Sequence, residues 1–183
     1  MKILAVIPAK GDSKRLPGKN SLEFKGKPMI FWAINACKGS LYDIDVWVNT
    51  NCNKIADISR DFGVMVKMRD IENNDPETFK QEIIRETVSY VDSLKLREKY
   101  DIVISLQPNS PQIRSDHLDG AINHLIDNNL SEVFSIGKDM IQNAAFRIMK
   151  HDYVFQRDLS TYCGVFLCDI KDIHTMEDLD SIL

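Results

Sequence analysis

Lys2–Asn20 reads KILAVIPAKGDSKRLPGKN, and the break inside this stretch decides the fold. The apolar, largely β-branched run Ile3–Ile7 stops at Pro8. The residues that follow hold Gly11, Pro17 and Gly18 together with the cations Lys10, Lys14, Arg15 and Lys19. A buried strand that runs straight into a punctuated, cationic loop suits the start of an open α/β sheet, in which ligands sit beyond the carboxyl ends of the strands. Two readings of the loop follow. In one it is a polyphosphate cradle, with backbone N–H groups around Gly11 and Ser13 forming an anion-binding concavity and Lys10, Lys14 and Lys19 adding mobile positive charge. In the other it is a solvated turn whose cations point into water. The loop is not a Walker A motif, because Asn20 follows Gly18-Lys19 where Ser or Thr is required, and it is not GxGxxG, so a dinucleotide cofactor has no support.

Further along, short β-branched runs alternate with segments of helical period, the pattern of parallel βαβ units. Strands are expected at Lys2–Ile7, Asp45–Val48, Val64–Lys67, Ile102–Leu106, Glu132–Ile136 and Gly164–Cys168, and helices at Pro28–Cys37, Asn53–Phe62, Pro76–Leu96 and Asp116–Asn128. Pro28 and Pro76 suit a first helical turn, where a missing N–H costs nothing, and Gly63 suits a helix C-terminal cap. Lys67–Glu77 and Lys138–Gln142 read as rim loops. Residues 1–183 are therefore expected to form a single domain.

Composition narrows the function classes. Hydrophobic residues make up 44% and charged residues 27%, an ordinary globular balance, and a net charge of −4 supplies no general field for nucleic acid, so any polyanion site must be local. The apolar run before Pro8 is too short for a signal-peptide core or a membrane span, which gives a cytoplasmic expectation with no membrane partner. Cys37, Cys52, Cys163 and Cys168 form no CxxC pair and are expected to be reduced thiols.

IPAKGDSKRLPGKN resembles IPARGGSKGIPGKN, the signature of the acylneuraminate cytidylyltransferase (CMP-N-acetylneuraminic acid synthetase) family. Other strings resemble the family's in the same order: WVNTNCNKIADISRDFGV, MRDIENND, SLQPNSPQIRSDHLDGAI, YCGVFLCD and DIHTMEDL, the last against DIDTEEDL. The resemblance implies a three-layer α/β fold like that of nucleotide-diphospho-sugar transferases, Rossmann-like, with a mostly parallel sheet between helices. It implies CTP as donor, an acidic sugar such as a sialic or legionaminic acid as acceptor, magnesium or manganese as cofactor, and a possible homodimer. In the family's reaction a sugar hydroxyl attacks the α-phosphorus and pyrophosphate leaves, which needs positioning and charge neutralisation rather than a covalent nucleophile. Lys10, Lys14 and Lys19 would hold the triphosphate and Asp172 would act with them. Ala9, Gly11, Ser13, Asn20, Arg69 and Thr78 would line the nucleotide, and Gln107 and Arg114 the acceptor; Asp172 and His174 would hold the metal.

The chain also departs from the family pattern. Lys10 replaces an arginine and so loses a fork of donors. His174 stands where DIDT has its second carboxylate, which disfavours magnesium, a seeker of oxygen ligands; Asp169 compensates only if the backbone turns it inward. Asn51 replaces the acid of the family's STD string. The dimerising extension that the family carries before DIDT is reduced here to Cys168–Lys171. Two further expectations therefore stand beside cytidylyl transfer: a homologue that binds nucleotide or a partner without turnover, and a nucleotidyltransferase acting on a sugar phosphate or phosphonate.

Overall fold

Strand β1, Ile3–Pro8, lies near the middle of a seven-stranded sheet, and its residues Ile3 to Ile7 are all buried, as expected for a strand covered on both faces. The computed structural model describes residues 1–13, 15–69, 80–95, 99–158 and 160–183. A small hairpin, β2 (Glu23–Phe24) with β3 (Lys27–Pro28), leads into helix α1, Met29–Lys38. Then come β4 (Ile44–Thr50), α2 (Asn53–Asp61), β5 (Met65–Met68), α3 (Lys80–Ser93), β6 (Ile102–Leu106) and α4 (Ser115–Asp127). The chain ends with β7 (Glu132–Ile136), β8 (Gln142–Lys150), a 3-10 turn at His151–Phe155, β9 (Cys163–Leu167) and α5 (Met176–Asp180).

The sheet order is β5-β4-β1-β6-β8-β7-β9. β1 pairs in parallel with β4, Pro8 opposite Asn49, and with β6, Ile3 opposite Ile102. β8 runs antiparallel to both β6 and β7, and β9 returns parallel to β7, so β8 alone is reversed. The reversal brings the start of β8 to the same edge as the carboxyl ends of the other strands.

Side-chain alternation along β1 sends Ile3, Ala5 and Ile7 into one apolar layer with α1, α2 and α4, and Leu4 and Val6 into another with α3 and Val154 of the 3-10 turn. The result is the expected three-layer α/β architecture. A third cluster has a more local purpose. Leu16 of the first loop, Phe24 and Met29 pack with Ile173 and with Leu179 of α5, so the C-terminal segment is anchored on the cationic loop. Full burial of a side chain such as Ile173 contributes about 1.5–3 kcal/mol to such an anchor.

Most elements expected from the sequence appear with ends shifted by at most two residues, and two strands match at both ends; the third helix ends at Ser93, three residues short of the expected Leu96. Pro28 is a correction: it closes β3 in extended backbone, φ −57° and ψ 144°, and flanks α1 rather than opening its first turn. Gly63 follows α2 at φ 67°, the left-handed conformation suited to a helix end. Pro76 and the other residues expected to open the third helix lie outside the described residues, as do most of MRDIENND. β8 and α5 were not anticipated, and β8 corrects the picture of simple parallel βαβ repetition. The four cysteines are free thiols, as expected, and burial pushes Cys37 up to about 12.

Candidate active site

The carboxyl edge of the sheet gathers the first loop, Asn51, Arg69, the start of the segment after β6, and the segment after β9. Backbone bonds begin the assembly: Ala9 N–H donates to the Asn49 carbonyl (2.9 Å), and Arg69 N–H to the Thr50 carbonyl (2.8 Å). Gly11 passes so close to α2 that an added Cβ would lie 2.5 Å from the Cys52 Cβ. Its N–H donates to Asn51 Oδ1 (2.9 Å), while Asn51 Nδ2 donates to Asp12 Oδ1 (3.1 Å). Asn51, at the position of the family's acid, thus shapes the loop by filling the Gly11 amide from inside. That hydrogen bond to Asp12, helped by Lys10 at 3.5 Å, holds the Asp12 carboxyl below the usual range. Asn20 closes the loop by donating from Nδ2 to the Lys10 carbonyl (2.9 Å), and its buried Oδ1 has no partner. Ser13 is half-buried. Lys14 and Thr78 lie outside the described residues.

The segment after β9 meets this loop through alternation. Leu16 and Ile173 are buried together, so their neighbours Arg15, Asp172 and His174 reach the cleft side. Asn109 fixes the backbone there: its Nδ2 donates to the Ile173 carbonyl (3.1 Å) and its own carbonyl accepts from Ile173 N–H (2.8 Å). Asp172 accepts from the Ser110 hydroxyl and from Ala144 N–H (3.0 Å), the latter delivered by the reversed β8. Arg15 Nη2 lies 3.1 Å from His174 Nδ1. A guanidinium only donates, so Nδ1 accepts and the ring proton sits on Nε2. Burial, then the charges of Lys19 and Arg15, keeps the imidazole below its ordinary pKa against the pull of Asp172 and Asp178. Burial, with Arg15 beside it, likewise lowers Lys19, while Asp172 and Asp178 oppose the change.

Other cations line the same edge. Arg69 is half-buried; Nε donates to Asn49 Oδ1 and Nη2 to the Asn49 carbonyl (3.2 Å), and burial lowers its pKa while Glu86 and Asp12 raise it. Lys80, which opens α3, is drawn below the lysine range by the protein around its ammonium and by Arg147, with Asp172 acting the other way. Sequence reasoning counted Arg15 without giving it a role and missed Lys80, Ser110 and Asn109. Ser110 and Asn109 lie inside the quoted LQPNSP string and Arg15 inside IPAKGDSKRLPGKN, so a signal was available; for Lys80 there was none, because Asp172 and Arg147, the charges that act on it, are remote in sequence. Gln107 N–H donates to the Ala145 carbonyl (2.9 Å), and its buried Nε2 has no partner. Arg114 lies apart from this group: it is exposed and forks onto Asp116, at 2.9 and 2.7 Å.

The residues marked for a metal do not fit one. His174 offers no free ring lone pair, Arg15 and Lys19 bring positive charge to the same spot, and among the described residues no group of three or more His, Cys, Asp or Glu converges. Asp169 gives no compensation, since its carboxylate pairs with Lys138 at 2.9 Å. Two concavities, of about 560 and 620 Å³, open at the amino ends of the strands, beside Trp47 and Tyr100 and beside Met1 and His151. Enclosed volume favours that end, but the convergent polar groups that a polyanion requires are at the carboxyl edge, and charge is the better guide to this ligand class.

The sequence model of the cytidylyltransferase family matches residues 4–162. The CMP-N,N'-diacetyllegionaminic acid synthase of Legionella pneumophila is 36% identical over 112 residues, 61% of this chain and 47% of that protein. The pseudaminic acid cytidylyltransferase of Campylobacter jejuni is 27% identical over 165 residues, 88% of this chain and 70% of that protein. The match thus spans about half of the Legionella relative, and only 30% of another curated relative, an N-acylneuraminate cytidylyltransferase of Danio rerio. Among solved structures, a CMP:2-keto-3-deoxy-manno-octonic acid synthetase complexed with CTP superposes with a TM-score of 0.78 at 18% identity, covering 100% of this chain and 97% of that one.

Proposed function

Because the chain belongs to the cytidylyltransferase family, we propose that it transfers CMP from CTP to an acidic sugar of the sialic, legionaminic or related 2-keto-3-deoxy class, releasing pyrophosphate. One observation carries this reading: Arg15 and Lys19 of the first loop lie beside Asp172 of a remote segment at the carboxyl edge, where Leu16 packs with Ile173. An acceptor hydroxyl oxygen forms the new bond to the α-phosphorus and releases its proton to solvent, the bond from the α-phosphorus to the bridging oxygen breaks, and that oxygen leaves on pyrophosphate with the electron pair. The chain's part is to position both partners and neutralise the leaving charge.

In this reading Lys10, Lys19 and Arg69 serve the phosphates, and Ala9, Gly11, Ser13 and Asn20 the rest of the nucleotide; Lys14 and Thr78 keep the phosphate and nucleotide roles expected from the sequence and lie outside the described residues. Gln107 faces the acceptor, its unpartnered buried Nε2 being a donor in want of an oxygen. Arg114 joins the acceptor site only by leaving Asp116. Magnesium or manganese, expected from the resemblance, is given no site on the described residues of this chain and no step in the reaction. We read the chain as one nucleotidyltransferase domain working in the cytoplasm. Among the described residues β9 pairs only with β7, and its outer edge, with Val165 and Leu167 exposed, favours a homodimer.

Pyrophosphate release from CTP, followed across a panel of 2-keto-3-deoxy sugar acids, sugar phosphates and phosphonates, tests the proposal. Release with a sugar acid and not with the others is expected. Binding of CTP without release from any acceptor would replace the reading with a nucleotide-binding homologue that does not turn over.

A further inference from the structure

The position that the family string gives to a second carboxylate is filled in this chain by an imidazole that holds an arginine. We propose that His174 is a positioning residue which aims Arg15 at the nucleotide's phosphates, so that a protein cation stands in for a metal and the triphosphate binds without a divalent ion. This inference rests on the reading that a nucleoside triphosphate occupies the carboxyl edge.

Arg15 is exposed and would otherwise sample many rotamers. Its guanidinium donates one N–H to His174 Nδ1 at 3.1 Å, which leaves the remaining donors of the fork for anionic oxygens. His174 is in turn fixed by its own backbone. Its N–H and that of Thr175 both donate to Asp178 Oδ2 at 2.9 Å, Asp178 N–H donates to Thr175 Oγ1 at 3.2 Å, and Lys171 Nζ lies 3.2 Å from Asp178 Oδ1. Beneath the pair, Leu16 and Ile173 are 7% and 0% exposed, so the chain segments that carry Arg15 and His174 cannot separate without opening an apolar contact. A carboxylate at position 174 would pair with Arg15 and cancel its charge; a neutral acceptor orients it and leaves the charge intact. Lys19 stands beside Arg15, and the two cations repel one another until an anion arrives. A site of this kind favours a polyanion and disfavours a bare metal ion.

Calorimetric titration of the full chain with CTP, in EDTA and in magnesium, tests this, alongside Mn²⁺ electron paramagnetic resonance of the protein without nucleotide. The unaltered protein should bind CTP with affinities that agree within about threefold in the two buffers, and should show no tight Mn²⁺ site. Arg15→Ala should weaken binding in EDTA by about tenfold. His174→Gln, whose amide oxygen still accepts from Arg15, should behave like the unaltered protein. His174→Asp, whose carboxylate cancels the Arg15 charge, should weaken CTP binding in EDTA and make it depend on magnesium. Loss of CTP binding in EDTA by the unaltered protein, or equal behaviour of the Gln and Asp variants, would overturn the inference and leave the nucleotide site standing. Absence of CTP binding in both buffers would overturn the inference and the cytidylyltransferase reading together. Should His174→Asp fail to fold, the two-buffer comparison on the unaltered protein decides.

Discussion

Gly11 lies against α2 so closely that its identity is a packing requirement before it is a binding one. An alanine Cβ there would sit 2.5 Å from the Cys52 Cβ and 3.1 Å from its Sγ, and the loop or the start of α2 would have to shift. Overpacking of this kind costs about 1–3 kcal/mol. Gly11→Ala should therefore lower the unfolding midpoint in urea and weaken CTP binding, and adding Cys52→Gly, which removes the opposing Cβ, should recover most of both. If the double variant is no better than Gly11→Ala alone, the close approach is not what the glycine serves. At this scale the sequence was legible where a residue works next to its neighbours: Gly11, Lys19 and Asn20 could be picked out because their loop is continuous. Arg15 could not, because the imidazole that gives it a direction lies 159 residues away. His174 was legible only as a replaced carboxylate, since the guanidinium facing it could not be seen in the sequence.

Strand β8 shows how an element can hide. Its run QNAAFRIMK is broken by Arg147, which reads as a surface position, yet the strand lies between β6 and β7 and only one of its nine residues is exposed. The arginine is accommodated by a partner from the next strand: Nε donates to Glu132 Oε2 at 2.7 Å, Nη1 donates to Gln81 Oε1 at 3.1 Å, and the guanidinium lies 5.1 Å from the Phe134 ring centre. The Glu132 side chain is only 4% exposed, so removing its partner, or removing it, leaves a charge poorly solvated. Glu132→Ala should cost about 3 kcal/mol, and replacing both groups with apolar side chains, Glu132→Leu with Arg147→Met, should restore most of that stability. Urea unfolding of the two single variants and the double variant gives the coupling directly. Additive losses would show that the pair is not a unit. The consequence reaches the site, because β8 is the element that brings Ala144 N–H to Asp172. α5 was missed for a different reason: a helix of five residues has too little periodicity to read, and it persists because Leu179 is buried on the first loop.

Across the whole molecule the charge balance and the site point in opposite directions. The net charge is −4, so at long range the protein repels CTP, while Lys10, Arg15, Lys19, Arg69 and Lys80 are concentrated at one edge of the sheet. The alternation of strand and helix made this edge identifiable in advance, since the order of apolar runs fixes which loops share the carboxyl ends. The sequence could not show how tightly the cations would be gathered, because that depends on the C-terminal segment folding back over the first loop. A gathered cluster has a measurable signature. Added salt screens charges beyond a Debye length of about 10 Å at 0.1 M and about 3 Å at 1 M, so it should relieve the distant repulsion first and the close attraction later. Affinity for inorganic triphosphate should therefore change little as sodium chloride is first added and then fall several-fold toward molar salt, while affinity for uncharged cytidine stays level. Titrations at a series of salt concentrations read this directly. A monotonic rise in triphosphate affinity with salt would mean that the global negative charge dominates and that the cations at the carboxyl edge do not act together.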